Sequence, residues 1–137
     1  MATKTNKQNN EEKKNVTTII STIGNFEITD KVKCLAYADG VHLNEIATPE
    51  GKALHVAKIA WLSCQGKDGE YKRTCLIDDN GTVYSTASPS FADSLSRILD
   101  MLNAADYDFV ENGGVKLGIY MVKSAKNPAY SYLTCKL

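Results

Sequence analysis

One segment of the chain combines aromatic rings with cations at short spacing. Residues 57–73 read AKIAWLSCQGKDGEYKR and contain Lys58, Trp61, Tyr71, Lys72 and Arg73. Aromatic faces stack on nucleic-acid bases at about 1–3 kcal/mol for each base, and cations neutralise phosphates. This chemistry makes Trp61 and Tyr71 candidates for base stacking, and Lys58, Lys72 and Arg73 candidates for phosphate contacts.

The aromatic residues also have structural interpretations that the sequence leaves open. Trp61 shares its parity with Ile59, and tryptophan is highly buried on average, so core packing is an alternative for it. Tyr71 could equally shield the mouth of a barrel. Tyr84 lies in opposite phase to Val83 and Ala87. We therefore predict that Tyr84 points outward, which makes it a third candidate for base stacking.

A second group of aromatic and basic residues lies near the end of the chain. The stretches VKLGIYMVK and AYSYLTCKL alternate in polarity, which predicts two strands with one dry face each. The outward face then carries Lys116, Tyr120, Tyr130, Tyr132 and Lys136. The simplest interpretation is cross-strand aromatic pairing. A second stretch of a nucleic-acid path, or a protein contact, remains open.

Residue types that serve catalysis or metal binding are sparse. The only histidines are His42 and His55, and neither stands at metal-ligand spacing from a cysteine or the other histidine. Asp78 and Asp79 precede Asn80-Gly81, where aspartate is common for backbone reasons. The chain also lacks a phosphate loop, a nucleophile elbow and a histidine-containing triad. We therefore expect no enzyme, no metal site and no cofactor.

The composition is that of an ordinary globular protein. The 137 residues carry no net charge, are 43% hydrophobic and contain no apolar stretch of membrane-span length. The N-terminus lacks the apolar middle of a secretory signal, so we expect a cytoplasmic protein without membrane contact. The four cysteines, Cys34, Cys64, Cys75 and Cys135, lie far apart, and we expect buried free thiols.

The distribution of apolar runs predicts one domain that is all-β with one helix. Residues 1–15 are polar and are predicted to be a disordered leader before a domain at 16–137 with a single core. KVKCLAY, KALHVAKIAWLSC and the two halves of YKRTCLIDDNGTVYSTAS read as four strands, the last two joined at Asn80-Gly81. The segment SPSFADSLSRILDMLNAA then reads as an amphipathic helix that Ser88 caps. With the closing hairpin, this order favours an OB-fold-like small β-barrel whose helix lies between the fourth and fifth strands.

The order of these motifs resembles a known family. VKCLAY, the turn PEG at 49–51, AKIAW, DDNGTVYSTAS with the following helix, and the closing hairpin together resemble the single-stranded-DNA-binding proteins of phi-29-type phages, which replicate linear genomes by protein priming. The likeness runs from about Phe26 to Leu137, and its most specific part is Gly81-x-x-Tyr84-Ser85 before the helix. The resemblance implies an OB-type fold and a role in protecting displaced strands during phage DNA replication.

The resemblance also bears on the individual site residues. Tyr84 matches a family position, whereas Trp61 and Tyr71 are offset from the family's tyrosines by a residue or more. The expected partner is single-stranded DNA, with replication proteins or a second copy of the chain as further partners. The main alternative is a small barrel that binds a replication or host protein by strand addition at its tyrosine-rich closing hairpin. An oligosaccharide-binding barrel is a third hypothesis, because sugar rings also stack on aromatic residues.

Overall fold

A computed structural model describes residues 17–127 and 129–137. The predicted leader at 1–15 lies outside the described residues. The two helices and seven strands are β1 (Thr17–Ile23), α1 (Ile28–Leu35), β2 (Val41–His42), β3 (Lys52–Gly66), β4 (Gly69–Asp78), β5 (Val83–Thr86), α2 (Pro89–Ala104), β6 (Val115–Lys123) and β7 (Ser131–Lys136). Within the described part of the chain, no helix combines the length and the apolar character needed to cross a membrane.

All seven strands belong to one curled sheet, and β3 is its spine. The order is β2-β5-β4-β3-β6-β7, and β1 also pairs with β3. The long β3 pairs with β4 along one side, and its other side pairs with β6 at residues 52–56 and with β1 at residues 59–64. The chain is thus mostly β with a sheet that curls as a half-barrel, as the strand patterns predict.

The sheet buries apolar side chains on both faces, whereas the sequence predicts a single core. One cluster joins Ile59, Leu76 and the strands β6 and β7 to α2 through Phe91 and Leu95. The second cluster lies on the other face and contains Cys34, Ala60, Leu62 and Cys75 among others. Because β3 and β4 are apolar on both faces, each face needs its own cover. All four cysteines are buried, as predicted.

The predicted strand KVKCLAY is wrong, because most of this segment forms α1. Glu27 and Asp30 form a reciprocal capping box at the start of the helix. Cys34 is fully buried on the inner side of this helix, while Ile28 and Val32 of the same helix remain exposed. The Lys-Val-Lys-Cys alternation has the period of a strand, but the run is too short to separate the two periods, and the cap decides for the helix. The described residues therefore form two α-helices rather than one, and α2 follows the fifth strand rather than the fourth.

The predicted helix and both predicted hairpins are confirmed. Ser88 caps α2 by accepting a hydrogen bond from the Phe91 amide, with Pro89 in the first turn. Val115, Leu117, Leu133 and Cys135 are buried on the inner face of the β6–β7 hairpin.

The predicted cross-strand pairs between tyrosines do not form in this hairpin. The register places Tyr120 opposite Thr134 and Tyr132 opposite Val122. The two tyrosines therefore do not face each other directly, because the connection between the strands sets a register that the sequence alone does not reveal.

The β4–β5 hairpin is organised by the carboxylate of Asp78. Its Oδ1 accepts from the amides of Asn80 (3.0 Å) and Thr82 (2.9 Å), and its Oδ2 accepts from the Tyr84 hydroxyl (3.1 Å). Gly81 takes the positive φ of +84° that the turn requires. The aspartate therefore has the backbone role that the sequence predicts.

The outer edge of β7 is covered by helix α2. The Ser90 hydroxyl donates to the Leu133 carbonyl (2.8 Å), and the Ser94 hydroxyl accepts from the Cys135 amide (3.2 Å). These are backbone groups that point away from β6 and that an exposed edge strand offers to another chain. Two serines one helical turn apart thus satisfy the edge.

We expect Ser94→Ala to lower the free energy of unfolding by about 1–2 kcal/mol, because the Cys135 amide then lacks its acceptor in a buried place. Urea unfolding checks this value. Ser96→Ala is the matched control, because Ser96 is exposed on the same helix and the gain in helix propensity is the same. Equal stability of the two variants would contradict the role of Ser94 as acceptor for the Cys135 amide.

Candidate functional site

Three residues singled out in the sequence line one cleft beside the start of α2. Trp61, Tyr71 and Lys72 line this cleft, which we call the aromatic cleft and which has a volume of about 350 Å³. Thr74, residues 87–89, Ala92 and Asp93 complete its lining. The structure therefore brings two aromatic rings and a cation to one opening.

The two aromatic rings belong to opposite faces of the β3–β4 hairpin. Trp61 pairs with Thr74, whereas Tyr71 pairs with Cys64. Trp61 is half-buried and packs against the first apolar cluster, while 37% of Tyr71 is exposed. The core-packing interpretation of Trp61 is thus confirmed in part, and the residue also lines the cleft.

The side chain of Tyr71 contacts Tyr37. Their hydroxyl oxygens lie 3.3 Å apart, within hydrogen-bond distance. This hydrogen bond, aided by burial, raises the pKa of Tyr37 to about 12. The hydrogen bond thus links Tyr71 of β4 to the segment that follows α1.

Arg73 lines a second cleft, which we call the arginine cleft. It has a volume of about 520 Å³ and is formed by His42, Asn44, Arg73, residues 85–90, Met121 and residues 131–133. The Arg73 guanidinium lies 4.5 Å from the centroid of the Tyr37 ring, at the distance of a cation–π contact. Its Nε donates to the Ser85 hydroxyl (3.1 Å) and its Nη2 to His42 Nδ1 (3.0 Å).

The two clefts adjoin where β5 leads into α2. Ala87, Ser88 and Pro89 line both of them. Tyr37 also links the two clefts, because it contacts Tyr71 of the aromatic cleft and Arg73 of the arginine cleft. Residues from both predicted groups therefore line two adjoining clefts: Trp61, Tyr71, Lys72 and Arg73 from the first group and Tyr132 from the second.

Lys58 is engaged elsewhere in the molecule. Its Nζ lies 2.5 Å from Asp30 Oδ2, and both side chains are mostly buried. Burial alone would raise the pKa of Asp30, but hydrogen bonds from Lys58 and the Glu27 amide outweigh it and hold the pKa below its usual value. The Lys58 ammonium thus fastens α1 to β3, a contact that the spacing along the chain does not reveal.

We expect Lys58→Gln to lower the free energy of unfolding at neutral pH by about 1–3 kcal/mol, because Asp30 then keeps a buried charge without a cation. The wild-type contribution is present above the usual carboxyl pKa and is lost as the pH falls through the lowered pKa of folded Asp30. The variant should therefore unfold at a higher pH on acid titration, followed by circular dichroism. Lys67→Gln, at an exposed turn, is the control. Equal acid midpoints for the two variants would contradict the ion pair.

Tyr84 is predicted to point outward, but the structure does not place it on an open surface. It is half-buried against the first apolar cluster, and its hydroxyl donates to Asp78. Burial and this hydrogen bond raise the pKa of Tyr84. Val83 is buried as expected, but Ala87 is exposed, because β5 ends at Thr86. The period-2 argument fails here because both faces of β5 are covered.

The register of the closing hairpin places Lys116, Tyr120, Tyr132 and Lys136 on one face, as predicted. Lys136 Nζ lies 5.0 Å from the centroid of the Tyr120 ring, which also covers Gly51 and Gly118. Lys116 is exposed on the same strand, and Tyr130 is 67% exposed near the hairpin connection. Only Tyr132 of this group lines the arginine cleft.

The residues that support Arg73 are not predicted from the sequence. His42, Tyr37 and the serine-rich segment STASPS at 85–90 have no predicted role in binding. The hydroxyl side chains of this segment are a signal of a polar surface, but they fit a strand end and a helix cap equally well. Among residues 17–127 and 129–137, no group of three or more histidine, cysteine or acidic side chains could hold a metal ion.

The chain was compared with models of known protein families, with curated proteins and with solved structures, and none of the three comparisons found a match.

Proposed function

We propose that this protein binds single-stranded DNA without sequence preference and protects displaced strands during DNA replication, as the resemblance to the phage family implies. The proposed path runs through the aromatic cleft and the arginine cleft. Trp61 and Tyr71 would stack on bases there, and Lys72 and Arg73 would contact phosphates. No enzymatic step belongs to this proposal.

The observation that carries the proposal is that Trp61, Tyr71 and Lys72 line one cleft that adjoins Arg73 and Tyr132. Stacking on rings and contact with phosphates are what a protein needs to hold any strand without reading base edges. The zero net charge and Asp93 in the aromatic cleft favour a moderate affinity. We assign no phosphate contact to Lys58, because Asp30 engages its ammonium.

We also propose that the half-barrel belongs to the OB type. The support is the curled sheet with one strand, β3, that pairs with three others, and the helix α2 that precedes the last two strands. Oligonucleotide-binding barrels of this type present strands and adjoining loops to a single strand. The two clefts lie at such a place, where β4 and β5 meet the start of α2.

The alternative of strand addition at the closing hairpin receives less support. Ser90 and Ser94 of α2 already bond the Leu133 carbonyl and the Cys135 amide at the outer edge of β7. A partner strand would need these same groups. The structure offers no comparable argument for an oligosaccharide over a nucleic-acid strand.

Titration of the full chain with poly-dT, followed by the emission of its single tryptophan, tests the proposal. We expect saturable quenching at low salt that reverses as salt rises, with a slope of about 0.7 for each phosphate neutralised. A gel-shift measurement on the same samples reports binding independently of Trp61. Absence of both quenching and a shifted band at low salt would refute single-strand binding.

A further inference from the structure

The arginine cleft contains a buried positive charge without an acidic partner. Arg73 is only 9% exposed and is the one formally charged residue among the described residues that line the cleft. It forms no salt bridge with any carboxylate of the described part of the chain. A buried charge without a counter-charge is costly, and the same low-dielectric surroundings strengthen its attraction to an incoming anion.

The hydrogen bonds of Arg73 leave one terminal nitrogen, Nη1, without a partner among the described residues. Nε and Nη2 are used by Ser85 and His42, and the Tyr37 ring covers the guanidinium on one face. Nη1 has no acceptor among the described residues. Because no fully buried nitrogen or oxygen of the described side chains lacks a partner, Nη1 retains some exposed surface, and Arg73 lines the cleft. Its N–H groups are therefore available to a ligand.

The rest of the cleft suits an anion as well. His42 Nδ1 accepts from Arg73, so a neutral imidazole carries its proton on Nε2 and offers a further donor. The hydroxyl-bearing residues Ser85, Thr86, Ser88, Ser90 and Tyr132 line the cleft, and no aspartate or glutamate does so among the described residues. The N-terminus of α2, capped by Ser88, adds the positive end of its dipole.

We propose that the arginine cleft is a phosphate subsite, in which Arg73 Nη1, His42 and the hydroxyls of the β5–α2 junction bind one phosphate group. The identity of the ligand as part of a DNA strand rests on the proposed function. The binding of a phosphate anion in this cleft does not depend on that function. A volume of about 520 Å³ accommodates a phosphate together with its sugar.

Nuclear magnetic resonance of the full-length protein with inorganic phosphate tests the subsite. We expect saturable shifts of the Arg73 side-chain resonances and of the amides of residues 85–90, and none with chloride at equal ionic strength. Shifts that fail to saturate, or that chloride reproduces, would overturn the proposal.

Two variants of Arg73 and one control assign the effect to its guanidinium. We expect Arg73→Lys to weaken phosphate binding about tenfold, because the charge remains but the planar set of donors is lost. Arg73→Gln should abolish binding, and its spectrum shows directly whether it folds. Lys31→Gln makes the same change in charge at an exposed position of α1 and should bind phosphate as wild type does. Wild-type affinity in a folded Arg73→Lys protein would refute the assignment.

A parallel titration with oligo-dT separates this inference from the proposed function. Binding of oligo-dT without binding of inorganic phosphate would overturn the subsite and leave single-strand binding intact. Saturable binding of phosphate without binding of oligo-dT would support the anion site and overturn the proposed function. Binding of both, with phosphate competing against oligo-dT, is the result that we expect.

Discussion

Removal of both rings from the aromatic cleft is expected to lower the affinity for oligo-dT most severely. In the double variant Trp61→Leu with Tyr71→Ala, two stacking platforms are lost, at about 2–4 kcal/mol in total. This corresponds to an affinity about 30-fold to 1,000-fold lower. Leucine at position 61 keeps an apolar side chain against the first cluster, which Trp61 contacts in part. Fluorescence anisotropy of a labelled oligo-dT measures the effect.

The matched control keeps an aromatic ring at both positions. Trp61→Phe with Tyr71→Phe keeps two aromatic faces in the cleft but removes the hydroxyl that contacts Tyr37. We expect its affinity to remain within about threefold of wild type, since stacking depends on the ring face. If the leucine–alanine variant is folded and binds as tightly as this control, the aromatic cleft is not the stacking site.

The largest effect on stability is expected for Asp78→Ala. The carboxylate is 7% exposed and accepts three hydrogen bonds, from the Asn80 amide, the Thr82 amide and the Tyr84 hydroxyl. Hydrogen bonds to a charged acceptor are the stronger kind, and their loss leaves Thr82 and Tyr84 unsatisfied in a partly buried place. We expect about 3–4 kcal/mol lower stability. The midpoint of thermal unfolding should fall by about 10–20 °C.

Two neighbouring substitutions show whether the effect belongs to this network. Asp79→Ala, at an adjacent exposed aspartate, is expected to change stability by less than about 0.5 kcal/mol. Tyr84→Phe removes one of the three hydrogen bonds and is expected to cost about 1 kcal/mol. Calorimetry or chemical unfolding of the three variants compares them. A loss in Asp78→Ala no greater than that in Tyr84→Phe would show that the turn amides do not depend on the carboxylate.

The parts of the fold that the sequence predicts correctly depend on contacts between near neighbours. The turn at Asn80-Gly81, the Ser88 cap of α2 and the alternation of Val115, Leu117 and Ile119 each place their evidence within a few residues. The exception among local features is α1. Its Lys-Val-Lys-Cys alternation fits a strand as well as a helix. The capping box of Glu27 and Asp30 favours the helix, but it lies before this alternation.

The environment of the candidate site depends on contacts between residues far apart in the chain. Lys58 meets Asp30, Arg73 meets His42 and Tyr71 meets Tyr37 across separations of 28, 31 and 34 residues, respectively. Neither residue type nor period predicts such pairs, because the curl of the sheet and the position of α1 determine which side chains meet. This is why Lys58, with the same charge as Lys72, does not join it in the cleft.

The sequence by itself therefore determined the strand and turn periods, the helix α2 and the presence of aromatic and basic residues along the β3–β4 hairpin. Their physical basis is local, since backbone preferences, capping and alternation act over a few residues. Only the tertiary structure decided which of those residues share a cleft. It half-buried Tyr84, paired Lys58 with Asp30, and placed Arg73 with His42 beside the start of α2, because burial and ion pairing depend on the packing of the whole sheet.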